Sequence, residues 1–489
     1  MTPPPSGRTP VESPVAGLRR RRLTLTQVLA QSVASVAPSA AMVTLPAVVI
    51  AGVGSAAVVC FAVASVIVVG VGYCLSHFAR RMASASGLYS YTAKGLGPVA
   101  AFTAGWALMS GYLLVAIASV LGSALYLSSL IDLSGLVPAD SSIPMGATII
   151  VLAALAGLLM VRGIKLSARV SLGLELISVV LIVAVLIVLM IKHASVDSPA
   201  PAVTGPLTVG AVALGVLLAV TSFVGFESAG TLGVEAKRPL VTIARAVRWI
   251  PLALGGLYLI AVATQVVNLA DAPLEVLRSP TPVADLTRLR GNTALSVMVD
   301  LGVAASFFAC VIGSGNACAR IIFSMGREGM LPRVLGRTHR RYETPHMAIL
   351  LLLPLFIFVP ILMDVAGTSR RDALVALLTI SAFGYLVSYA FVCIATPAFL
   401  WRIGELTTRP LAAGIITSIV MVALLGWVLV ETLLTEPTIP VAFLAVMLMG
   451  WLLLGAVWLR DRARLQRIGV YDETLADDLF IGTQRVWTR

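Results

Sequence analysis

The sequence predicts an all-α polytopic membrane protein of twelve transmembrane helices, and three observations predict it. First, the 489 residues are 58% apolar and only 12% charged, about half the charged share of an average soluble protein. A water-soluble globule of this size would lack the charge to cover its surface. Second, long charge-free runs recur along the chain. Third, Lys and Arg alternate strongly between successive connecting loops. Composition therefore excludes a soluble enzyme, a disordered chain and a nucleic-acid-binding protein. The net charge of +12 has a topological cause.

The runs give the spans in order. Leu23 to Ala79 contains no Asp, Glu, Lys or Arg, which is enough for two crossings at about 20 residues each. It divides into span 1 (25–52) and span 2 (54–79). Spans 3 to 12 follow at 98–129, 144–161, 168–191, 208–234, 248–268, 293–322, 346–363, 373–400, 410–430 and 439–459. Helices are required, because an open strand leaves backbone groups unpaired in lipid. The runs also lack the short alternation of a membrane barrel.

Orientation follows from basic residues. With a cytoplasmic N-terminus, 29 of the 35 Lys and Arg fall on the inner side. The six outside are Lys192, Arg278, Arg288, Arg290, Arg370 and Arg371. Both termini are then cytoplasmic, in a multi-pass protein of the cell membrane, and the positive charge faces anionic inner-leaflet lipid. Residues 1–22 read as a disordered cytoplasmic N-tail, rich in Pro, Ser and Gly before Arg19–Arg22. Two five-helix units occupy 23–191 and 192–402, spans 11 and 12 occupy 403–459, and 460–489 form a cytoplasmic C-tail.

Two spans carry residues that interrupt helices. Span 1 contains Pro38, which removes a backbone hydrogen bond and crowds the preceding turn. Span 6 contains Gly225 and, two residues later, Glu227. A central acid costs roughly 2.5–3.5 kcal/mol on insertion scales unless it faces protein or water. Either feature alone reads as a kink or a packing site. Together they fall at matching points of two five-helix units of opposite topology, the pattern of a transporter whose site lies at the bilayer midplane. The five cysteines (Cys60, Cys74, Cys310, Cys318, Cys393) lie in apolar stretches and read as small hydrophobic fillers. With four scattered histidines, the pattern offers no catalytic group, metal site or cofactor.

Three blocks resemble the amino acid–polyamine–organocation (APC) superfamily of transporters. The first is Ala79 to Tyr91, continuing through Gly95-Leu96-Gly97-Pro98 to Gly105-Trp106-Ala107. The second is Phe223-Val224-Gly225-Phe226-Glu227-Ser228-Ala229 with Glu235 to Pro239. The third is Ala319-Arg320, Met325 to Pro332 and Thr344-Pro345-His346. The resemblance implies an amino acid permease with a five-plus-five inverted-repeat (LeuT-type) fold and discontinuous spans 1 and 6. It also implies secondary active transport of an amino acid or amine, with proton coupling or exchange more often than sodium coupling.

In that architecture the N-terminus of an outer half-helix presents free N–H groups and a partial positive charge, which suits an α-carboxylate. The amides around Ser39, Ala40 and Ala41 are the expected donors. Carbonyls near Val36, Ala37, Thr221 and Ser222 are expected to take the α-ammonium, with Gly225 permitting close approach. For each residue alone, helix packing is the competing explanation. The family's Gly-Ser-Gly-like triplet at the first break is here Ser39-Ala40-Ala41, and its aromatic gate in span 6 is here Thr221. Phe223 or an aromatic from another span (Tyr112, Phe307 or Tyr385) is left to close the pocket.

Glu175, early in span 5, is the other intramembrane carboxylate. Some relatives place a proton-responsive lysine in this region. Burial disfavours a charged carboxyl, so Glu175 is a candidate proton-coupling group, with a structural acid bonded to the backbone of span 1 or 8 as the alternative. Glu227 is expected to cap the inner half of span 6. Asp300 either lines the outer vestibule or lies at the interface. No spare acid is evident for a cationic side chain, so a neutral amino acid is expected. A cationic amino acid or polyamine transporter, an exchanger, and a non-transporting sensor or assembly partner are the alternatives.

Overall fold

The structure is a computed structural model that describes residues 18, 21–134, 142–193, 208–269, 272–465 and 468–469. Most of the N-tail (1–22) and of the C-tail (460–489) lies outside the described residues. Span 1 comprises α1 (Leu25–Val36) and α2 (Pro38–Val53), and span 2 is α3 (Ala57–Ala79). A short helix α4 (Leu88–Leu96), absent from the charge-free runs, precedes α5 (Pro98–Ser134), which is span 3. Spans 4 and 5 are α6 (Ser142–Arg162) and α7 (Ile164–His193). Span 6 is α8 (Val209–Thr221) followed by a 3₁₀ segment (Phe226–Leu232). Span 7 is α9 (Pro239–Asn268), and the short helices α10 (Leu274–Arg278) and α11 (Pro282–Leu289) lead to span 8, α12 (Thr293–Glu328). Spans 9 to 12 are α13 (His346–Val365), α14 (Arg370–Arg402), α15 (Thr408–Thr435) and α16 (Thr438–Arg460).

Eleven helical stretches among the described residues are long and apolar enough to cross a membrane, and the first, Leu25–Ala79, has 55 residues. At about 1.5 Å per residue it is more than twice a hydrocarbon core of roughly 30 Å. A 3₁₀ turn at Gly54–Ala56 divides it, so it accommodates two crossings and the total is twelve. Two predicted boundaries shift by six residues or more. α9 begins at Pro239, not 248, and α12 continues to Glu328, past 322. A charge-free run marks the lipid core, whereas a helix continues through charged residues until a capping signal stops it. Here those signals are Pro239 in a first turn and Gly329 in the left-handed region at φ 81°.

Burial sorts the spans. In α12 and α14, 78% of the most apolar window is buried, against 22% in α16. Spans 11 and 12 therefore face lipid at the periphery, and α12 runs through the centre.

Polar clusters lie near both ends of the bundle. On the face carrying the first and last described residues, Arg320 pairs with Glu235 at 2.5 Å, both buried. Beside it the chain entry pairs with the segment after span 6: the Leu23 N–H donates to the Glu235 carbonyl (2.8 Å) and the Lys237 N–H to the Leu23 carbonyl (2.9 Å). Glu328 accepts from the Tyr89 hydroxyl and from the Gly469 N–H at 2.9 Å. On the opposite face Arg288 of α11 holds Asp285 at 2.7 Å, the Ser129 hydroxyl at 2.5 Å, and Asp300. Of the two expectations for Asp300, neither an open vestibule wall nor an exposed interface results. Its carboxylate is fully buried under Arg288 and Ser129.

Candidate functional site

The site is built on the two helix breaks. Pro38 has no N–H and disfavours helical geometry in the residue before it. Ala37 accordingly takes a left-handed conformation (φ 51°, ψ 60°), which costs roughly 1–2 kcal/mol for a residue with a Cβ. Helix restarts at once with Pro38 in its first turn. Span 6 unwinds more gradually. The N–H groups of Ser222, Phe223 and Val224 each reach back three residues. Gly225 then turns through φ 102° into the 3₁₀ segment.

Gly225 is required twice over. Its φ favours glycine, and a Cβ there would lie 2.6 Å from the Ser35 carbonyl oxygen. The inner halves of the two broken spans are also stitched by Ser32, whose hydroxyl donates to the Phe226 carbonyl (2.8 Å) and accepts from the Ala229 N–H (3.0 Å). α12 completes this contact. A Cβ at Gly313 would sit 2.6 Å from the Ser35 amide nitrogen. Cys310 and Ser314 both donate to the Ser35 carbonyl, at 3.2 and 3.4 Å.

A small, tight cavity of about 30 Å³ lies between the breaks, well under the roughly 300–1,000 Å³ of an open small-molecule site. Of the predicted binding residues, Val36, Ala37, Ala40, Ala41 and Thr221 line it. Ser39, Ser222, Phe223 and Gly225 do not. Ser39 turns toward span 5, and the Ser222 carbonyl accepts from the Tyr258 hydroxyl at 2.7 Å. Phe223 packs edge-on against that Tyr258 ring at 4.9 Å. Gly225 lies behind, against Ser35. The aromatic in the wall is Phe307; Tyr112 and Tyr385 are not part of it.

The remaining wall comes from Ser35, Thr44, Leu45, Val115, Ser119, Val224, Cys310 and Leu378. Sequence reasoning missed these residues. One signal was available: Ser306, Cys310, Gly313 and Ser314 recur at i, i+4, i+7 and i+8, a small, weakly polar stripe on one helix face. That stripe is the face α12 turns toward span 1.

The two buried carboxylates beside the breaks differ in their partners. The Glu227 carboxylate accepts from Tyr112 (2.7 Å), Tyr389 (2.6 Å) and the Gly225 N–H (3.1 Å), so both of its oxygens are held. Glu175 uses one oxygen, Oε1, which accepts from the Ser39 N–H at 3.0 Å and the Ser39 hydroxyl at 2.8 Å. Its Oε2 has no partner among the described residues. Glu175 thus caps the start of α2, where the helix dipole favours an anion. The Ala40 N–H donates to the Ser306 hydroxyl at 3.0 Å, and the Ala41 N–H to the Ala37 carbonyl at 2.9 Å. All three amides expected to receive a substrate carboxylate are therefore engaged within the protein.

Comparison with known proteins agrees with this architecture. The chain is similar to a methylthioribose transporter of Bacillus subtilis, 23% identical over 303 residues, 60% of this chain and 64% of that one. It is similar to a branched-chain amino acid permease of Lactococcus lactis, 27% identical over 131 residues, 26% of this chain and 27% of that one. An uncharacterized transporter of Mycobacterium tuberculosis is 29% identical over 170 residues, 35% of this chain and 36% of its own length. The crystal structure of an Eremococcus coleocola manganese transporter mutant superposes with a TM-score of 0.61 at 14% identity, covering 91% of this chain and 95% of that one. At that identity the likeness shows the fold alone. A family model described as amino acid permease matches residues 27–467. The curated relatives are matched over about a quarter to under two thirds of their own length, and the chain belongs to the amino acid permease family.

Proposed function

We propose that this permease carries a neutral amino acid with an apolar side chain across the cell membrane, coupled to protons, with both termini cytoplasmic. The observation that carries the reading is the cavity between the breaks, whose wall contains Val36, Leu45, Val115, Val224, Phe307 and Leu378 but no charged side chain. A charged substrate side chain would be desolvated there without a partner. An uncharged one gains from burial.

Glu175 supplies the coupling. Its single engaged oxygen holds the Ser39 amide, directly before the cavity-lining Ala40 in the first turn of α2. A proton on Glu175 weakens that grip and releases the amide, so proton and substrate bind together, which is the requirement for symport. Purified protein in liposomes tests this. Wild type should take up one of a panel of labelled neutral amino acids faster when the outside is acid. Glu175→Gln should keep uptake but lose the stimulation by the gradient. Full gradient-driven uptake by the variant would remove Glu175 from the mechanism.

A second reading draws on the same engaged amides. A substrate without a carboxylate, such as a small amine, needs no donor from Ser39, Ala40 or Ala41. Competition separates the two. An amino acid that blocks uptake at least tenfold better than its decarboxylated amine supports the first reading, and the reverse order supports the second.

A further inference from the structure

A cavity of about 630 Å³ opens on the flank of the bundle between α3 and α9, lined by Arg80, Arg245, Arg248, Leu240, Val241, Ala244 and Trp249. It is remote from the cavity between the breaks and lies toward the end of the bundle carrying the first and last described residues. Arg80 directly follows α3, and Arg245 and Arg248 fall in the first three turns of α9.

Three features set it apart from ordinary basic surface. First, three arginines on this face are ion-paired: Arg81 with Glu405, Arg320 with Glu235 and Arg464 with Asp461. Arg80, Arg245 and Arg248 make no ion pair with an acidic side chain among the described residues, yet they converge on one concavity. Arg248 is steered by its position over the Tyr73 ring, 5.8 Å from the centroid. Second, the lip is amphipathic. Trp249 is 59% exposed, the placement of an indole at the headgroup level of a bilayer.

Third, an apolar stripe leads away from the arginines on each helix. On α9, Trp249, Leu252 and Ile260 follow one another along one exposed face. On α3, Val59, Val63 and Val66 share the helix face that ends at Tyr73 and Arg80. Three guanidinium groups at the headgroup level, with apolar tracks running toward the bilayer centre, match an anionic head on acyl chains.

We propose that this cavity is a binding site for the phosphate head of an anionic phospholipid, with Arg80, Arg245 and Arg248 as its ligands. Guanidinium groups suit phosphate because their planar donors pair with its oxygens. A basic pocket between transmembrane helices on the cytoplasmic side is the expected form of such a site. It bridges spans 2 and 7, so an occupant would hold those two helices together.

The test uses the full chain in detergent, titrated with phosphatidylglycerol or phosphatidylcholine, with bound lipid counted by native mass spectrometry and stability read by thermal shift. Wild type should retain phosphatidylglycerol selectively. The triple variant R80Q/R245Q/R248Q should lose it, by roughly fivefold per arginine and about a hundredfold for all three, while R340Q/R341Q on the same face retains it. Should the triple variant fail to fold, R245Q alone should show the fivefold loss. Inorganic phosphate separates the source: a shift as large with phosphate as with the lipid would make this a soluble-anion site. Undiminished lipid selectivity in the triple variant would overturn the proposal.

Discussion

The two helix breaks do the same job by different chemistry. The break in span 1 is abrupt: one left-handed alanine, a proline, and a new helix capped by a carboxylate from span 5. The break in span 6 is drawn out, with a glycine turn leading into a 3₁₀ segment and its acid held by two tyrosines and a backbone amide. Glu227 has both oxygens engaged and acts as a fastener between span 6, α5 and α14. Glu175 has one oxygen engaged and one without a partner among the described residues, so it can change state at lower structural cost. A buried acid with both oxygens committed serves structure, whereas a buried acid with one oxygen committed can serve function.

The largest effect that would break this contrast is at Gly225. Gly225→Ala places a Cβ 2.6 Å from the Ser35 carbonyl at a φ that also disfavours alanine. A loss of about 3 kcal/mol or more is expected from strain and overpacking together, read as collapse of thermal stability and of uptake. Normal stability in that variant would show that the two breaks are not in rigid contact. Next is Glu227→Gln, which leaves tyrosine hydroxyls on a neutral amide whose NH₂ group has lost an acceptor's role. A cost of about 1–3 kcal/mol should appear as a lower midpoint in a thermal-shift assay, with Tyr389→Phe in the same direction.

Glu175→Gln should cost less stability than Glu227→Gln, because fewer bonds are lost, while changing the pH dependence of uptake more. An inverted order would exchange the roles assigned to the two acids. The smallest effect is at Ala37. Ala37→Gly relieves a left-handed alanine and should stabilise by at most about 1 kcal/mol, a gain of a degree or two in the same assay, with transport retained.

Much of the architecture was legible in the chain. The spans follow from charge-free length, and the breaks from Pro38 and Gly225. The helix starts were less legible. α9 begins at Pro239 and carries Arg245 and Arg248 inside it, because a helix tolerates charge where its end leaves the lipid. In the site, Val36, Ala37, Ala40, Ala41 and Thr221 were found because they flank the breaks along the chain. Phe307 was among the aromatics expected to close the pocket, but Ser119, Cys310 and Leu378 were not assigned to its wall, because they reach it from α5, α12 and α14. Only the rotation of each helix about its axis decides which face is turned inward.

The sequence by itself therefore determined the number of crossings, the places where two of them come apart, and the presence of two acids in the bilayer. Each depends on local quantities: hydropathy over one span, the missing N–H of a proline, the freedom of a glycine. The tertiary structure alone decided what those acids hold. Glu175 meets the Ser39 amide across 136 residues of chain, and Glu227 meets Tyr389 across 162. Contacts of that separation are set by how helices pack and turn against one another, and no local pattern encodes the angle.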